Sequence, residues 1–190
     1  TSRRLGAVVQ GYDVRPAVKE QVESLGAQFV ELDLDTGDSE DSGGYARAQT
    51  EDFYQKQREE LGKVVAENDV VVTTAAIPGK QSPLLITASA VEAMNPGSVI
   101  VDLAVEAGGN CPLSKLGKVI VKHGVKIVGH DNVPGRLPKD ASALYGKNLL
   151  NFITPHVDAE SKALNFNWED ETVTGTLIPR DGKVVNPAVT

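Results

Sequence analysis

Short Val- and Ile-rich runs of strand length alternate along this chain with stretches whose apolar residues recur at helical spacing. Residues 7–13 (AVVQGYD) predict a strand that ends in an acid. Residues 15–25 predict a helix, with Val18, Val22 and Leu25 on one face and Pro16 tolerated in its first turn. Gly26 stops it, and residues 29–32 predict a second brief strand. A helix follows over residues 50–68, then a near-continuous apolar strand over residues 69–75 (DVVVTTA), the pattern of a strand covered on both faces. Thr87 is the expected N-cap of a helix running to Met94, which Asn95-Pro-Gly97 ends. Residues 98–104 (SVIVDLA) predict another buried strand, and residues 118–122 and 126–129 two more around a tight turn at His123-Gly124. A helix over residues 141–152 is expected next, then a hairpin over residues 172–185 around Asp181-Gly182.

This alternation predicts an α/β protein built on a Rossmann-like, doubly wound parallel sheet. Residues 1–150 are expected to form that domain. Residues 151–190 do not continue the alternation and are expected to pack on a companion domain. The opening Thr1-Ser-Arg-Arg-Leu-Gly6 reads as the last turn of a helix closed by Gly6, which points to a polypeptide that begins before residue 1.

Composition narrows the functional classes. The chain has 190 residues and a net charge of −7, with 41% hydrophobic and 24% charged residues, as in an ordinary globular protein. No apolar run approaches the length of a membrane-spanning helix, and no charged start precedes an apolar stretch, so no secretory leader is expected. The single cysteine, Cys111, excludes a disulfide framework and a cysteine-based zinc site. An acidic balance without a basic cluster argues against nucleic acid as a partner. The histidines His123, His130 and His156 lack metal-ligand spacing.

In doubly wound sheets ligands bind at the carboxyl ends of the strands, so each strand end is a candidate site. The first carries Asp13, Val14 and Arg15. An acid there either accepts hydrogen bonds from the ribose hydroxyls of an adenosine or caps the surface. A carboxylate at this place repels a 2′-phosphate, which favours NAD over NADP. The strand over residues 69–75 leads into Thr74, Ala75, Ala76 and Pro78. Small residues there admit a flat ligand or make a tight turn. The next strand end presents Glu106 beside Gly108 and Gly109, a polar site or a solvated acid. Asn132 follows the last strand of the series. Residues 31–52 hold eight acids (Glu31, Asp33, Asp35, Asp38, Glu40, Asp41, Glu51, Asp52) and one base, Arg47. They read as a solvated loop or as a functional flap with Tyr45 near its tip; residues 33–50 are expected to form a lid. No nucleophile–base constellation is apparent, so no catalytic residue is assigned.

Five stretches carry a resemblance: Gly11-Tyr-Asp-Val-Arg15, Gly43-Gly-Tyr-Ala46, Thr73-Thr-Ala-Ala-Ile-Pro-Gly-Lys80, Val101-Asp-Leu-Ala-Val-Glu-Ala-Gly-Gly-Asn-Cys-Pro112 and Asn148-Leu-Leu-Asn-Phe-Ile-Thr-Pro-His156. Together they resemble the NAD(H)-binding component of proton-translocating NAD(P) transhydrogenase. The resemblance implies a soluble dimer on the cytoplasmic or matrix face of a membrane. It implies that NADH is bound here and passes hydride to NADP(H) held on a separate component, with proton movement through a membrane-spanning component. It implies that Asp13, Val14 and Arg15 contact the adenosine ribose, that Gly44 and Tyr45 belong to a loop closing over the nucleotide, and that Gln57 and Ala76 also contact NAD(H). The Gly-rich turn of that family does not appear in this chain. Alanine dehydrogenase shares the fold and supplies the alternative, an NAD-dependent amino-acid oxidoreductase. Glu106 discriminates, because the dehydrogenases carry a catalytic Asp at that place. A nucleotide-sensing module without chemistry is a third possibility.

Overall fold

The computed structural model describes residues 1–34, 50–77 and 79–186. They divide into two compact units, Thr1–Asp131 and Asn132–Thr190.

The first unit opens on a 3-10 turn, Ser2–Leu5, closed by Gly6 in the left-handed region. Strand β1 (Gln10–Gly11), helix α1 (Val18–Ser24) and strand β2 (Gln28–Phe29) form a parallel two-stranded unit, with Gln10 opposite Gln28. Both strands are shorter than their apolar runs predict. The run from Ala7 has strand composition, but strand structure needs a partner for its backbone groups. Among the described residues β1 pairs with β2 alone, and Val8 is exposed.

Helix α2 (Glu51–Ala66) begins where its chemistry says it should. The Thr50 hydroxyl accepts from the Phe53 amide at 3.3 Å, and Glu51 and Asp52 sit in the first turn, against the positive end of the helix dipole. Gln57, Leu61 and Val65, four residues apart, are its buried face. Strand β3 (Val70–Thr73), helix α3 (Ala88–Ala93), strand β4 (Val99–Asp102), strand β5 (Lys118–Lys122) and strand β6 (Val125–Gly129) follow. Thr87 caps α3 by accepting from the Ala90 amide at 3.1 Å. The sheet order is β3-β4-β6-β5. β3, β4 and β6 are parallel, with Thr73 opposite Asp102, while β5 runs antiparallel to β6. The β5–β6 turn places His123 and Gly124 at φ 52° and 79°, the geometry that joins tightly paired strands. The core gathers Leu61 and Val65 of α2, Val91 of α3, and Ile100, Val125 and Ile127 of the sheet. Among the described residues strand β3 is covered on one face: Val71 packs on the core, while Val70 and Val72 are exposed. An apolar run reports the tendency to be covered, whereas α2 and α3 cover one face.

The second unit holds helix α4 (Val133–Arg136), helix α5 (Pro138–Ile153), a 3-10 turn (Thr154–His156), helix α6 (Glu171–Thr176) and a hairpin of β7 (Pro179–Arg180) and β8 (Lys183–Val184). The ring of His156 is buried between Phe152 and Phe166, at centroid distances of 5.7 and 5.0 Å. Helix α5 starts three residues before the predicted helix and buries none of its side chains. Helix α6 corrects the expected hairpin, which survives only over residues 179–184. The β-branched run at Thr172-Val173-Thr174 has strand propensity. It is overruled by Asp170, whose carboxylate caps the helix by accepting from the amides of Thr172 and Val173.

Ile127→Ala is expected to cost about 2–5 kcal/mol, because a fully buried side chain in the middle of the sheet leaves a cavity. Val121→Ala, on the exposed edge strand, should cost less than about 0.5 kcal/mol. Urea denaturation of the two variants checks the contrast; equal losses would overturn the placement of the core.

Candidate functional site

The loop after β1 and the segment after β2 enclose a cleft of about 260 Å³. Its walls are apolar at Val14, Phe29, Val30, Leu32 and Leu34, and polar at Tyr12, Asp13, Lys19 and Glu31. Lys19 pairs with Glu31 at the rim. Asp13 is the half-buried carboxylate of this cleft. Its Oδ1 accepts from the Arg15 amide and from Arg15 Nε, both at 2.9 Å, and its Oδ2 accepts from Arg15 Nη2 at 2.8 Å. Burial pushes this carboxyl up. The side-chain bond, backbone bond and charge of Arg15 together outweigh burial and hold it below the ordinary value.

Behind Asp13, Tyr12 is fastened to α2. Its hydroxyl accepts from Gln57 Nε2 at 2.8 Å. Burial raises the pKa of this phenol, the bond from Gln57 opposes the rise, and the charge of Asp13 adds to it. Gln57 is buried, and its Oε1 has no partner among the described residues. A buried acceptor left unsatisfied costs about 1–3 kcal/mol, so this glutamine is no ordinary core residue.

The ends of β3 and β4 form a second polar group. Asp102, the last residue of β4, is completely buried. Its carboxylate accepts five hydrogen bonds: from Ser114 Oγ at 2.7 Å, the amides of Asn110, Ala104 and Cys111 at 3.0, 3.1 and 3.2 Å, and Thr73 Oγ1 at 3.3 Å. Asn110 is completely buried beside it. Its Nδ2 donates to the carbonyls of Ala75 and Pro83, both at 2.8 Å, and its Oδ1 accepts from the Ala75 amide at 3.1 Å. Cys111 is buried, and burial above all pushes its thiol up, away from the reactive thiolate.

The structure therefore places Asp13 and Val14 in the wall of the cleft, with Arg15 bonded to Asp13, and joins the neighbouring Tyr12 to Gln57 by a separate hydrogen bond. Thr74, Ala75 and Ala76 follow β3, where Asn110 holds Ala75 by both backbone groups. Glu106 is exposed in a 3-10 turn, Val105–Ala107, after β4. Asn132 belongs to the second unit, where it caps α4 by accepting from the Gly135 amide at 3.2 Å. Gly44, Tyr45 and Pro78 lie outside the described residues, as does nearly all of the expected lid over residues 33–50. Sequence reasoning missed Asp102 and Asn110. The signal was present in SVIVDLA: an acid inside a buried apolar strand must find donors within the fold.

The sequence matches, over residues 1–187, the family described as alanine dehydrogenase/PNT, C-terminal domain. An alpha-subunit chain of the NAD(P) transhydrogenase of Rhodospirillum rubrum is 58% identical over 191 residues, covering 100% of this chain and 50% of that protein. The crystal structure of transhydrogenase from Sinorhizobium meliloti superposes with a TM-score of 0.74 at 45% identity, covering 97% of this chain and 47% of that one. An L-alanine dehydrogenase structure gives a TM-score of 0.67 at 26% identity, covering 99% of this chain and 46% of that one. The chain thus spans about half the length of these relatives. The fold is the mixed α/β, Rossmann-like arrangement with a parallel sheet that the sequence predicts.

Arg15→Gln is expected to raise the pKa of Asp13 above the ordinary 3.8, because burial is then less opposed. A carboxyl depressed in the folded state contributes stability above its unfolded value and loses it as the pH falls through the lower folded value. A carbon-13 NMR titration of the Asp13 carboxyl in both proteins is the check; an unmoved or lowered value would overturn the assignment.

Proposed function

The chain belongs to the alanine dehydrogenase/PNT C-terminal-domain family, and on that premise we propose that it is the NAD(H)-binding part of a proton-translocating NAD(P) transhydrogenase. The observation that carries the reading is the strand-end cleft with its ionised Asp13. At about 260 Å³ it is smaller than the roughly 300–1,000 Å³ of a whole drug-sized ligand site, so it fits one end of a dinucleotide. Asp13 suits the adenosine ribose. A carboxylate offers about four acceptor positions, and Arg15 occupies three of them. One remains for a ribose hydroxyl, and a second hydroxyl displaces one Arg15 bond. The apolar walls suit a purine. A 2′-phosphate would meet the Asp13 charge, while the Arg15 guanidinium is already turned onto Asp13. Arg15 therefore holds Asp13 ionised, and the pair selects NAD(H) over NADP(H).

Bound here, NAD(H) supplies a hydride for NADP(H) on a partner component. This chain's residues bind and orient; none is assigned to move a proton. The small side chains at Thr74, Ala75 and Ala76 let a flat ring approach the backbone, and Glu106 lines the approach. The further reading places the protein as a homodimer against membrane-spanning and NADP(H)-binding components. Among the described residues no helix is long and apolar enough to cross a membrane, so in this reading the chain meets the bilayer through those components, on the cytoplasmic or matrix face. Identity favours this reading over an amino-acid dehydrogenase, at 58% and 45% to transhydrogenase chains against 26% to an alanine dehydrogenase.

In the full-length polypeptide, Asp13→Ala should weaken NADH binding about tenfold or more, since each charge-assisted bond is worth about 1.5–3 kcal/mol. An unchanged dissociation constant removes Asp13 from the site. Glu106→Gln should leave the hydride step within about tenfold. A loss of about 10²–10⁴, the signature of a deleted acid or base, would favour the dehydrogenase reading.

A further inference from the structure

Ala75 follows the last residue of β3 by two positions, and its side chain has nothing polar to hold it in place. The ladder between β3 and β4 extends one bond past the paired residues, with the Leu103 amide donating to the Thr73 carbonyl at 2.9 Å. Beyond that point β4 turns away. The chain returns eight residues after Asp102, and the Asn110 carboxamide takes the place of a strand. It accepts from the Ala75 amide and donates to the Ala75 carbonyl, as an opposed residue in a ladder would. Its remaining N–H goes to the Pro83 carbonyl.

The backbone of Asn110 is pinned as firmly as its side chain. Its amide donates to Asp102 Oδ2, and its carbonyl accepts from the amides of Leu85 and Ile86, both at 3.0 Å. Gly109 makes this return possible. It stands at φ 81°, and a Cβ there would lie 2.7 Å from Asp102 Oδ2. Asp102 is thus the anchor and Asn110 the arm that reaches from it to Ala75. Neither is exposed, so neither touches a ligand directly.

We propose that Asn110, anchored by Asp102, is a positioning residue for NAD(H). It holds residues 74–76 as a rigid backbone surface for the part of the dinucleotide that lies outside the Asp13 cleft. The inference rests on the reading of this chain as an NAD(H)-binding part. It separates two functions at two strand ends: Asp13 recognises the adenosine end, and Asn110 shapes the backbone that receives the rest.

The separation is testable with two ligands. AMP probes the Asp13 cleft alone, and NADH probes both regions. In the full-length polypeptide, held well below its unfolding temperature, Asn110→Ala should weaken NADH about tenfold or more while AMP stays within about twofold, and the Ala75 amide should exchange faster. A role that is merely structural leaves both affinities unmoved or lowers both alike, and either result overturns the proposal. Should Asn110→Ala not fold, Ser114→Ala removes only one bond from Asp102. It should shift NADH by about threefold with AMP unchanged; NADH unmoved overturns the proposal equally. A wild-type polypeptide that binds no NADH overturns the NAD(H) reading itself, and this inference with it. Wild-type binding with both variants unaffected overturns this inference alone.

Discussion

A carboxylate removed from water must be repaid with donors, and the Asp102 carboxylate sets that constraint for the first unit. A buried polar group left without partners costs several kcal/mol, so every donor around Asp102 is held to its position. Three of the five donors are backbone amides, from Ala104, Asn110 and Cys111. A loop that must aim three amides at one point has little freedom left. This explains why residues 104–114, with little regular structure, can carry geometry as definite as a strand's. It also ties register to loop shape. Thr73 lies opposite Asp102 in the sheet and donates its hydroxyl to it. A slip of one residue would turn Asp102 out of its donors and Thr73 to the other face.

Asp13 shows the other way to satisfy a strand-end acid. Its partner is two residues away, on the same loop, and the pair stays partly exposed. Local pairing leaves capacity for a ligand, whereas the enclosure of Asp102 leaves none. The two acids look alike in the sequence, each close to the end of an apolar strand. Distance to the nearest cation separates them: Arg15 is two residues from Asp13 in the chain, while residues 101–114 contain no basic residue. An acid with a local cation can face the solvent side of a strand end. An acid without one, in an apolar run, goes inward to backbone donors.

What is legible in the sequence is local. Thr87 announces its helix because a cap satisfies an amide within three residues. His123-Gly124 and Asp181-Gly182 announce their hairpins because positive φ is a property of the turn itself. Asp13, Arg15 and Gln57 are legible as candidates, the first two from position and all three from resemblance. The joining of Gln57 to Tyr12 is not, because 45 residues separate them. Asn110 escapes for the same reason, since its partners Ala75 and Pro83 lie 35 and 27 residues back. Helix α6 defeats a reading by β-branched composition because the capping carboxylate of Asp170 outweighs that composition. Strand length in β1 and β2 falls short of the apolar runs because such a run measures burial tendency and not the presence of a neighbouring strand.

Helix α2 joins the two acids into one architecture. Its buried face carries Leu61 and Val65 into the same core as Ile100 and Ile127, on the strands that bear Asp102 and its neighbours. One turn earlier on that face, Gln57 reaches Tyr12 and so the cleft of Asp13. An apolar residue at position 57 would fill the core more cheaply, since it would leave no buried oxygen unsatisfied. The glutamine instead fixes the β1 loop to the core by a directional bond, which an apolar contact cannot do. The cleft is then held by a hydrogen bond to the helix, and the Ala75 backbone by a carboxamide anchored on the sheet. Both tethers end on one packed interior that resists small displacements. The spacing between the two strand ends is therefore a property of the core, against which Tyr12 and Cys111 themselves pack.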